Sequence, residues 1–261
     1  MRARAALIEQ KGGPFVLADV EIEEPREDEV LVRIVATGIC HTDLIVRDQW
    51  YPVPLPIVLG HEGAGIVEAV GGRVRKVKPG DHVVLTFRAC GGCRNCLRGR
   101  PFHCMEGFSL LFRGTRPDGT TPLRRNGQAV HYFFGQSSFA TYALAHEQNT
   151  VPVPADVPLE HVGPLGCGIQ TGAGAILNAL RPSAGSSVVI FGTGAVGLSA
   201  LLAARMMGCT PIIGVDLRPE RLHLARELGA THILNPSEGD VVLAIRDLTG
   251  GGADYSVDTT G

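Results

Sequence analysis

The sequence predicts an α/β chain in two parts: a β-rich, partly closed barrel, then parallel βαβ units. Three observations carry this. Before about residue 150, short apolar runs are separated by Gly and Pro turns. From about residue 187 onward, apolar strands alternate with helical runs. Between the two, Val151-Pro152-Val153-Pro154 marks a change of texture, and the boundary falls between 150 and 170.

In the first part, Val30–Val35, Gly65–Val70 and His82–Phe87 read as strands. Gly71-Gly72 and Lys78-Pro79-Gly80-Asp81 supply turns between them. In the second part, Ser187–Phe191 is a short apolar strand and Ala195–Met207 a helix rich in Ala, Leu and Met. Pro211–Asp216 is the next strand, followed by a helix over Pro219–Leu228 with Pro in its first turn. Thr231–Leu234, a helix over Val241–Leu248 and a strand over Ala253–Asp258 complete the alternation, which implies a parallel sheet.

At 44% hydrophobic and 19% charged, with a formal net charge of -2, the composition is that of an ordinary soluble globular protein. No basic stripe invites nucleic acid or an anionic membrane. Met1–Gln10 has no long apolar run behind it, so neither a signal peptide nor a membrane span is expected, and a cytoplasmic location follows. The seven cysteines are unevenly placed, four of them between Cys90 and Cys104. In a chain neither short nor signal-bearing, such clustering points to metal rather than to a disulfide framework.

Cys90, Cys93 and Cys96 form two Cys-x2-Cys steps, with Cys104 eight positions on. Four thiolates at this spacing can close around one tetrahedral zinc and leave no place for a substrate, so the role is structural. Four free thiols on a loop is the plain alternative. Ligand type alone also admits an iron–sulfur cluster. Cys40, His61 and Cys167 are weak signals singly, since a lone Cys or His is more often a packed core residue. Together they offer three zinc ligands with a fourth position open, as a catalytic zinc requires. This second set argues against the iron–sulfur reading.

Gly192-Thr193-Gly194-Ala195-Val196-Gly197 follows a strand and opens a helix, the context that gives a G-x-G-x-x-G run its meaning. Gly192 makes the tight turn, Gly194 admits a pyrophosphate to the helix N-terminus, and Gly197 lets helix and strand pack closely. Asp216 ends the next strand, 24 residues after Gly192. An acid there can take both ribose hydroxyls of NAD and repels the 2′-phosphate of NADP. Its plain alternative is a surface Asp at a strand end.

In this order and spacing, the Cys40/His61/Cys167 trio, Gly60-His61-Glu62, the four-cysteine run and the glycine motif resemble the zinc-containing alcohol dehydrogenases of the medium-chain dehydrogenase/reductase family, over essentially the whole chain. Gln136–Ala140 and Cys167–Gly174 most resemble its aryl (benzyl) alcohol dehydrogenase branch. The resemblance implies a GroES-like catalytic domain over 1–168, with a four-cysteine zinc lobe at 88–106. It also implies a partial Rossmann NAD-binding domain over 169–261.

By the same resemblance, the chain takes one catalytic and one structural zinc, with NAD as coenzyme and a small alcohol or aldehyde as partner. The catalytic zinc, held by Cys40, His61 and Cys167, polarises the substrate oxygen. Thr42 passes the alcohol proton outward, Asp43 orients His61, and Glu62 lies close behind the metal as a tuning or exchange ligand. Thr171 and Val196 line the nicotinamide, and Arg221 touches the adenosine ribose. There are two departures. His41 stands where many members carry an Arg on the coenzyme phosphate. Ile45 stands where many carry a relay His, so the proton must leave by water or another group.

His131-Tyr132-Phe133-Phe134 reads as core or pocket lining, and Cys209 as a buried small residue. The run to Gly261 covers four of the six strands of the usual sheet, so a truncated chain of poor activity is expected, with the homo-oligomer a property of a longer parent. The function expected is oxidation of a primary aromatic alcohol. One rival is glutathione-dependent formaldehyde (S-(hydroxymethyl)glutathione) oxidation, and another a non-catalytic zinc-binding chain. A zinc-free quinone reductase is disfavoured because every ligand position is filled.

Overall fold

The computed structural model describes all residues, Met1–Gly261. They fall into two compact units, Met1–Cys167 and Gly168–Gly261. No helix is long and apolar enough to cross a membrane.

The first unit holds ten strands: β1 (Arg2–Ile8), β2 (Val16–Ile22), β3 (Glu29–Thr37), β4 (Ile57–Val58), β5 (Gly63–Val70), β6 (His82–Leu85), β7 (Leu123–Arg125), β8 (Gln128–Tyr132), β9 (Tyr142–His146) and β10 (Thr150–Pro152). Five close a barrel in the order β1-β2-β7-β8-β4, and five form an open sheet in the order β10-β6-β5-β3-β9. Strand β3 is inside that sheet, paired with β5 and β9. Its Leu31 packs with the barrel core beside Ala3, Ala5 and Leu7, while Val30 and Val32 pack with Val67, Val83 and Leu85. A strand buried on both faces reads as a continuous apolar run, which is why Val30-Leu31-Val32 shows no alternation. Strand β1 does the opposite. Arg2 and Arg4 face out and Ala3 and Ala5 face in, a period of two.

Four short helices decorate this unit: α1 (His41–Arg47), α2 (Arg94–Leu97), α3 (Gly107–Phe112) and α4 (Leu159–Val162). Helix α1 carries its acid, Asp43, in the first turn and Arg47 in the last, both favourable to the helix dipole.

The second unit begins with α5 (Gly168–Gly174), which runs on into a π-helical turn, Ala175–Leu180, ended by Arg181 in the left-handed region at φ 49°. Strands β11 (Val188–Phe191), β12 (Ile212–Val215), β13 (His232–Leu234) and β14 (Tyr255–Asp258) form a parallel sheet in the order β13-β12-β11-β14. Helices α6 (Ala195–Met206), α7 (Pro219–Leu228) and α8 (Val241–Thr249) connect them. Val188, Ile190 and Ile212 pack with Ala200, Leu201 and Ala204 of α6, and Val189, Ile213 and Val215 pack with Ile245 of α8. Both faces of the sheet are therefore covered. At about 1.5–3 kcal/mol for each fully buried aliphatic side chain, these six strand residues anchor the unit. Asp240 caps α8 by accepting from the N–H groups of Val242 and Leu243, and Gly250, at φ 69°, ends it.

Candidate metal centres and dinucleotide loop

After β3 the chain turns through Gly38 into α1, with Cys40 as the residue that opens the helix. Asp43 is fully buried, and its carboxylate gathers three donors. It accepts the Cys40 N–H at 3.1 Å, the Gly60 N–H at 3.1 Å and the His61 Nδ1 at 3.0 Å. The carboxylate thereby fixes the His61 tautomer and leaves Nε2 as a lone-pair donor on the far side. That Nε2 lies 3.3 Å from the Cys167 Sγ, which lies 3.9 Å from the Cys40 Sγ. The Glu62 carboxylate joins them, and the ligand atoms of Cys40, His61, Glu62 and Cys167 all lie within 4.8 Å of one another. A Cβ on Gly38 would sit 1.9 Å from Glu62 Oε2, so only glycine leaves that carboxylate its place. The Thr42 hydroxyl is 3.6 Å from the Cys40 Sγ, at the rim of the group.

The electrostatics of the group suit a cation. The Cys40 thiol is held down at about 3, first by the hydrogen bond from Cys167 and against the opposing effect of burial. Cys167 is pushed well above the usual thiol range by that same hydrogen bond and by burial. For His61, burial favours the neutral ring, but the hydrogen bonds to Asp43 and Cys40 outweigh it and raise the imidazole to about 9. Crowded acids of this kind divide one set of protons among them, and a divalent ion lets all of them act as ligands.

The second group is the run from Cys90 to Cys104. Its four sulfur atoms also lie within 4.8 Å of one another, with Cys90–Cys96 at 3.9 Å and Cys93–Cys96 at 3.5 Å. Backbone N–H groups point at the sulfurs: Cys90 to Cys104 at 3.2 Å, Cys93 to Cys90 at 3.3 Å and Met105 to Cys93 at 3.5 Å. The Met105 N–H is the main reason the Cys93 thiol drops to about 6. Around a tetrahedral zinc with bonds of about 2.3 Å, sulfurs are about 3.8 Å apart, so both donor sets fit that ion.

In the second unit, the residues from Gly192 to Gly197 join β11 to α6. A Cβ on Gly197 would come within 1.8 Å of the Gly192 carbonyl oxygen, so the loop folds onto the first helical turn only with glycine there. Asp216, following β12, accepts the Thr193 N–H at 2.8 Å, the Thr193 hydroxyl at 3.2 Å and the Arg218 N–H at 2.9 Å. Burial raises its carboxyl, but these three bonds outweigh burial and hold it below the usual range. The Arg221 guanidinium is 3.7 Å from Asp216 and overhangs Gly194, where a Cβ would meet it at 3.8 Å. Helices α5 and α6 touch where a Cβ on Gly172 would meet the Val196 carbonyl at 2.0 Å, which brings Thr171 beside the first turn of α6. His41 is exposed at the first position of α1.

Several residues with a part in these sites are given no ligand or coenzyme role by the sequence. Buried Gln136 donates to the carbonyl oxygens of His61 and Thr86, at 3.0 and 3.3 Å, and accepts the Gly63 N–H at 3.2 Å, bracing the backbone on both sides of Glu62. The Phe134 ring lies 4.7 Å from the His61 ring and Phe133 5.5 Å from it. The Thr259 hydroxyl, just past β14, donates to the carbonyl oxygens of Phe191 and Gly192, at 2.9 and 2.7 Å. None has a local sequence signal, since each acts across 50 residues or more.

A barrel with two thiol-rich donor groups and a parallel sheet with a glycine loop define a zinc-binding dehydrogenase of the alcohol dehydrogenase class. The chain belongs to that family. Residues 26–155 match the alcohol dehydrogenase GroES-like domain and residues 195–261 the zinc-binding dehydrogenase domain. Among its relatives, the geraniol dehydrogenase of Castellaniella defragrans is 55% identical over 262 residues, a match covering 99% of this chain and 70% of the relative. The crystal structure of benzyl alcohol dehydrogenase from Acinetobacter calcoaceticus superimposes with a TM-score of 0.95 at 53% identity, over 100% of this chain and 71% of that one. An S-(hydroxymethyl)glutathione dehydrogenase of Synechocystis is 38% identical, over 100% of this chain and 72% of the relative.

Proposed function

We propose that the chain carries the zinc and coenzyme sites of an enzyme that oxidises a primary alcohol to the aldehyde, with NAD accepting the hydride. The alcohol bears an aromatic ring or a double bond next to the carbinol carbon. The observation that carries this reading is the convergence of Cys40, His61, Glu62 and Cys167, with Asp43 buried behind His61. In this reading a zinc ion bound there supplies Lewis-acid polarisation of the substrate oxygen. Cys40, His61 and Cys167 would hold the ion, and the Glu62 carboxylate would lie close behind it as a tuning or exchange ligand. Asp43 keeps the His61 Nε2 turned toward the ion. Thr42 takes the proton of the substrate hydroxyl and hands it outward to water, because Ile45 has no group to receive it. The four thiols of the lobe hold a second, structural zinc.

NAD as the coenzyme is supported by Asp216, an acid at the end of the second strand whose carboxyl is held in its charged form. Gly192, Gly194 and Gly197 admit the pyrophosphate, with Arg221 on the adenosine ribose and Thr171 and Val196 on the nicotinamide. Geraniol and benzyl alcohol, the substrates in the relatives' names, are both primary alcohols with an unsaturated carbon beside the carbinol. The aromatic rings of Phe133 and Phe134 beside His61 suit such a substrate. Lower identity, 38% against 55%, ranks glutathione-dependent formaldehyde oxidation second. Six thiols grouped as ligands also suit a reducing, cytoplasmic setting.

The test is elemental analysis of the purified chain, then NAD and NADP titration, then a panel of benzyl alcohol, geraniol and S-(hydroxymethyl)glutathione. Two zinc ions per chain and preference for the first two alcohols are expected. Preference for S-(hydroxymethyl)glutathione overturns the substrate assignment. A zinc-loaded chain that binds neither nucleotide favours a non-catalytic zinc protein.

A further inference from the structure

One of the three side chains that the glycine motif leaves open, Thr193, has polar contacts of its own. Thr193, between Gly192 and Gly194, is fully buried. Its N–H donates to Asp216 Oδ2 at 2.8 Å and its hydroxyl to the same oxygen at 3.2 Å. Its methyl packs over β12, where a Cβ on Gly214 would meet Cγ2 at 3.2 Å. With the methyl packed on β12 and χ1 restricted by β-branching, hydroxyl and carboxylate are held in register. On the other oxygen, Oδ1, the Arg218 N–H occupies one acceptor position at 2.9 Å.

A carboxylate has about four lone-pair positions. Thr193 takes two on Oδ2 and Arg218 takes one on Oδ1, so the position left for a ligand is on Oδ1. From Oδ2 the nearest cation is Arg221, at 3.7 Å. With Arg218 and Arg221 both exposed close by, the surroundings are basic enough to receive a phosphate if the carboxylate turned aside or took up a proton. The lock on the carboxylate therefore decides which way this end of the sheet leans.

We infer that Thr193 is a specificity-determining positioning residue: by clamping Asp216 through its hydroxyl and N–H, it presents one free acceptor to a ribose hydroxyl and keeps the neighbouring arginines from accepting a 2′-phosphate. The inference rests on the proposed use of a nicotinamide dinucleotide. It goes beyond the presence of an acid at position 216, because it assigns part of the preference to a residue that does not touch the ribose.

The experiment compares Thr193→Val, which keeps the shape and removes the hydroxyl, with Thr193→Ser, which keeps the hydroxyl. Dissociation constants for NAD and NADP are measured by fluorescence titration of the purified full chain, and thermal midpoints check folding. Losing a hydrogen bond to a charged group is expected to weaken NAD binding about tenfold in Thr193→Val, with NADP unchanged or tighter. Thr193→Ser is expected to stay within about threefold of wild type. A second reading needs no coenzyme. The 13C carboxyl resonance of Asp216 is expected to titrate at higher pH in Thr193→Val and at the wild-type position in Thr193→Ser. If Thr193→Val does not fold, Thr193→Ala makes the same comparison. Wild-type protein that binds neither dinucleotide, or prefers NADP, overturns the coenzyme reading and this inference with it. Wild type that prefers NAD, with Thr193→Val unchanged in both constants and in the Asp216 titration, overturns the inference alone.

Discussion

Asp43→Asn tests the arrangement behind His61 most directly. The wild-type carboxylate serves three donors: Cys40 N–H and Gly60 N–H, each at 3.1 Å, and His61 Nδ1 at 3.0 Å. Asparagine keeps the shape but has one acceptor oxygen. Its better orientation leaves Oδ1 on Gly60 and His61 and turns Nδ2 toward the Cys40 N–H, donor against donor. Two polar groups at this partly buried spot then lose their partners, at about 1–3 kcal/mol each, so the metal-free protein is expected to lose about 2–6 kcal/mol. Metal binding suffers separately, because a neutral amide holds the imidazole less firmly. Loss of such a partner costs about 10–100-fold in affinity, or about 1.4–2.8 kcal/mol. Urea unfolding of the metal-free protein reads the first effect, and competition for zinc with a chromophoric chelator reads the second. The lobe acts as an internal control, since its four ligands lie between Cys90 and Cys104. An Asp43→Asn protein that holds both zinc ions within about twofold of wild type would refute the reasoning.

Three further outcomes are expected. Cys104→Ser removes one of four thiolates from a closed group, so zinc content should fall by one ion per chain while the ion at Cys40, His61 and Cys167 stays; elemental analysis checks this. Gly197→Ala places a Cβ 1.8 Å from the Gly192 carbonyl, so the loop must open; NAD affinity is expected to fall at least about tenfold in a titration, with zinc content unchanged. Asp254 accepts the N–H and hydroxyl of Ser187, each at 2.8 Å, and these bonds hold its carboxyl below 3.8. A lowered folded value means its stabilisation is complete above about pH 4 and is lost as the pH falls through the folded value. Asp254→Asn should flatten the acid limb of urea midpoints measured from pH 2 to 6.

The strands and helices of the second unit were legible because both faces of the sheet are covered. Val188 to Phe191 and Ile212 to Val215 read as unbroken apolar runs between turn residues. The barrel was less so. Strands β1 and β2 alternate, and with Arg2, Arg4, Asp19 and Glu21 facing out they resemble surface chain more than core. The three-residue strands β7 and β10 are too short for any period to show. Helix α5 and its π-helical continuation carry three glycines in α5 alone, a composition that argues against helix until packing on α6 overrides it. For the sites, ligand chemistry was visible because Cys and His are few and regularly spaced. Phe134 was legible only as core or pocket lining, and the contacts of Gln136, Thr193 and Thr259 were not legible, because a brace or a clamp is defined by what it reaches in space.

The two donor groups differ in how much chain they close. The lobe gathers its sulfurs from residues 14 positions apart, whereas Cys40 and Cys167 are 127 apart. By loop-closure entropy alone the longer loop costs about 2 kcal/mol more. A nascent chain can therefore assemble the lobe as soon as Cys104 has emerged, whereas the other centre must wait for the whole of the first unit, down to its last residue. The donors Cys40, His61 and Cys167 are thus gathered late in folding, only when everything between them is in place.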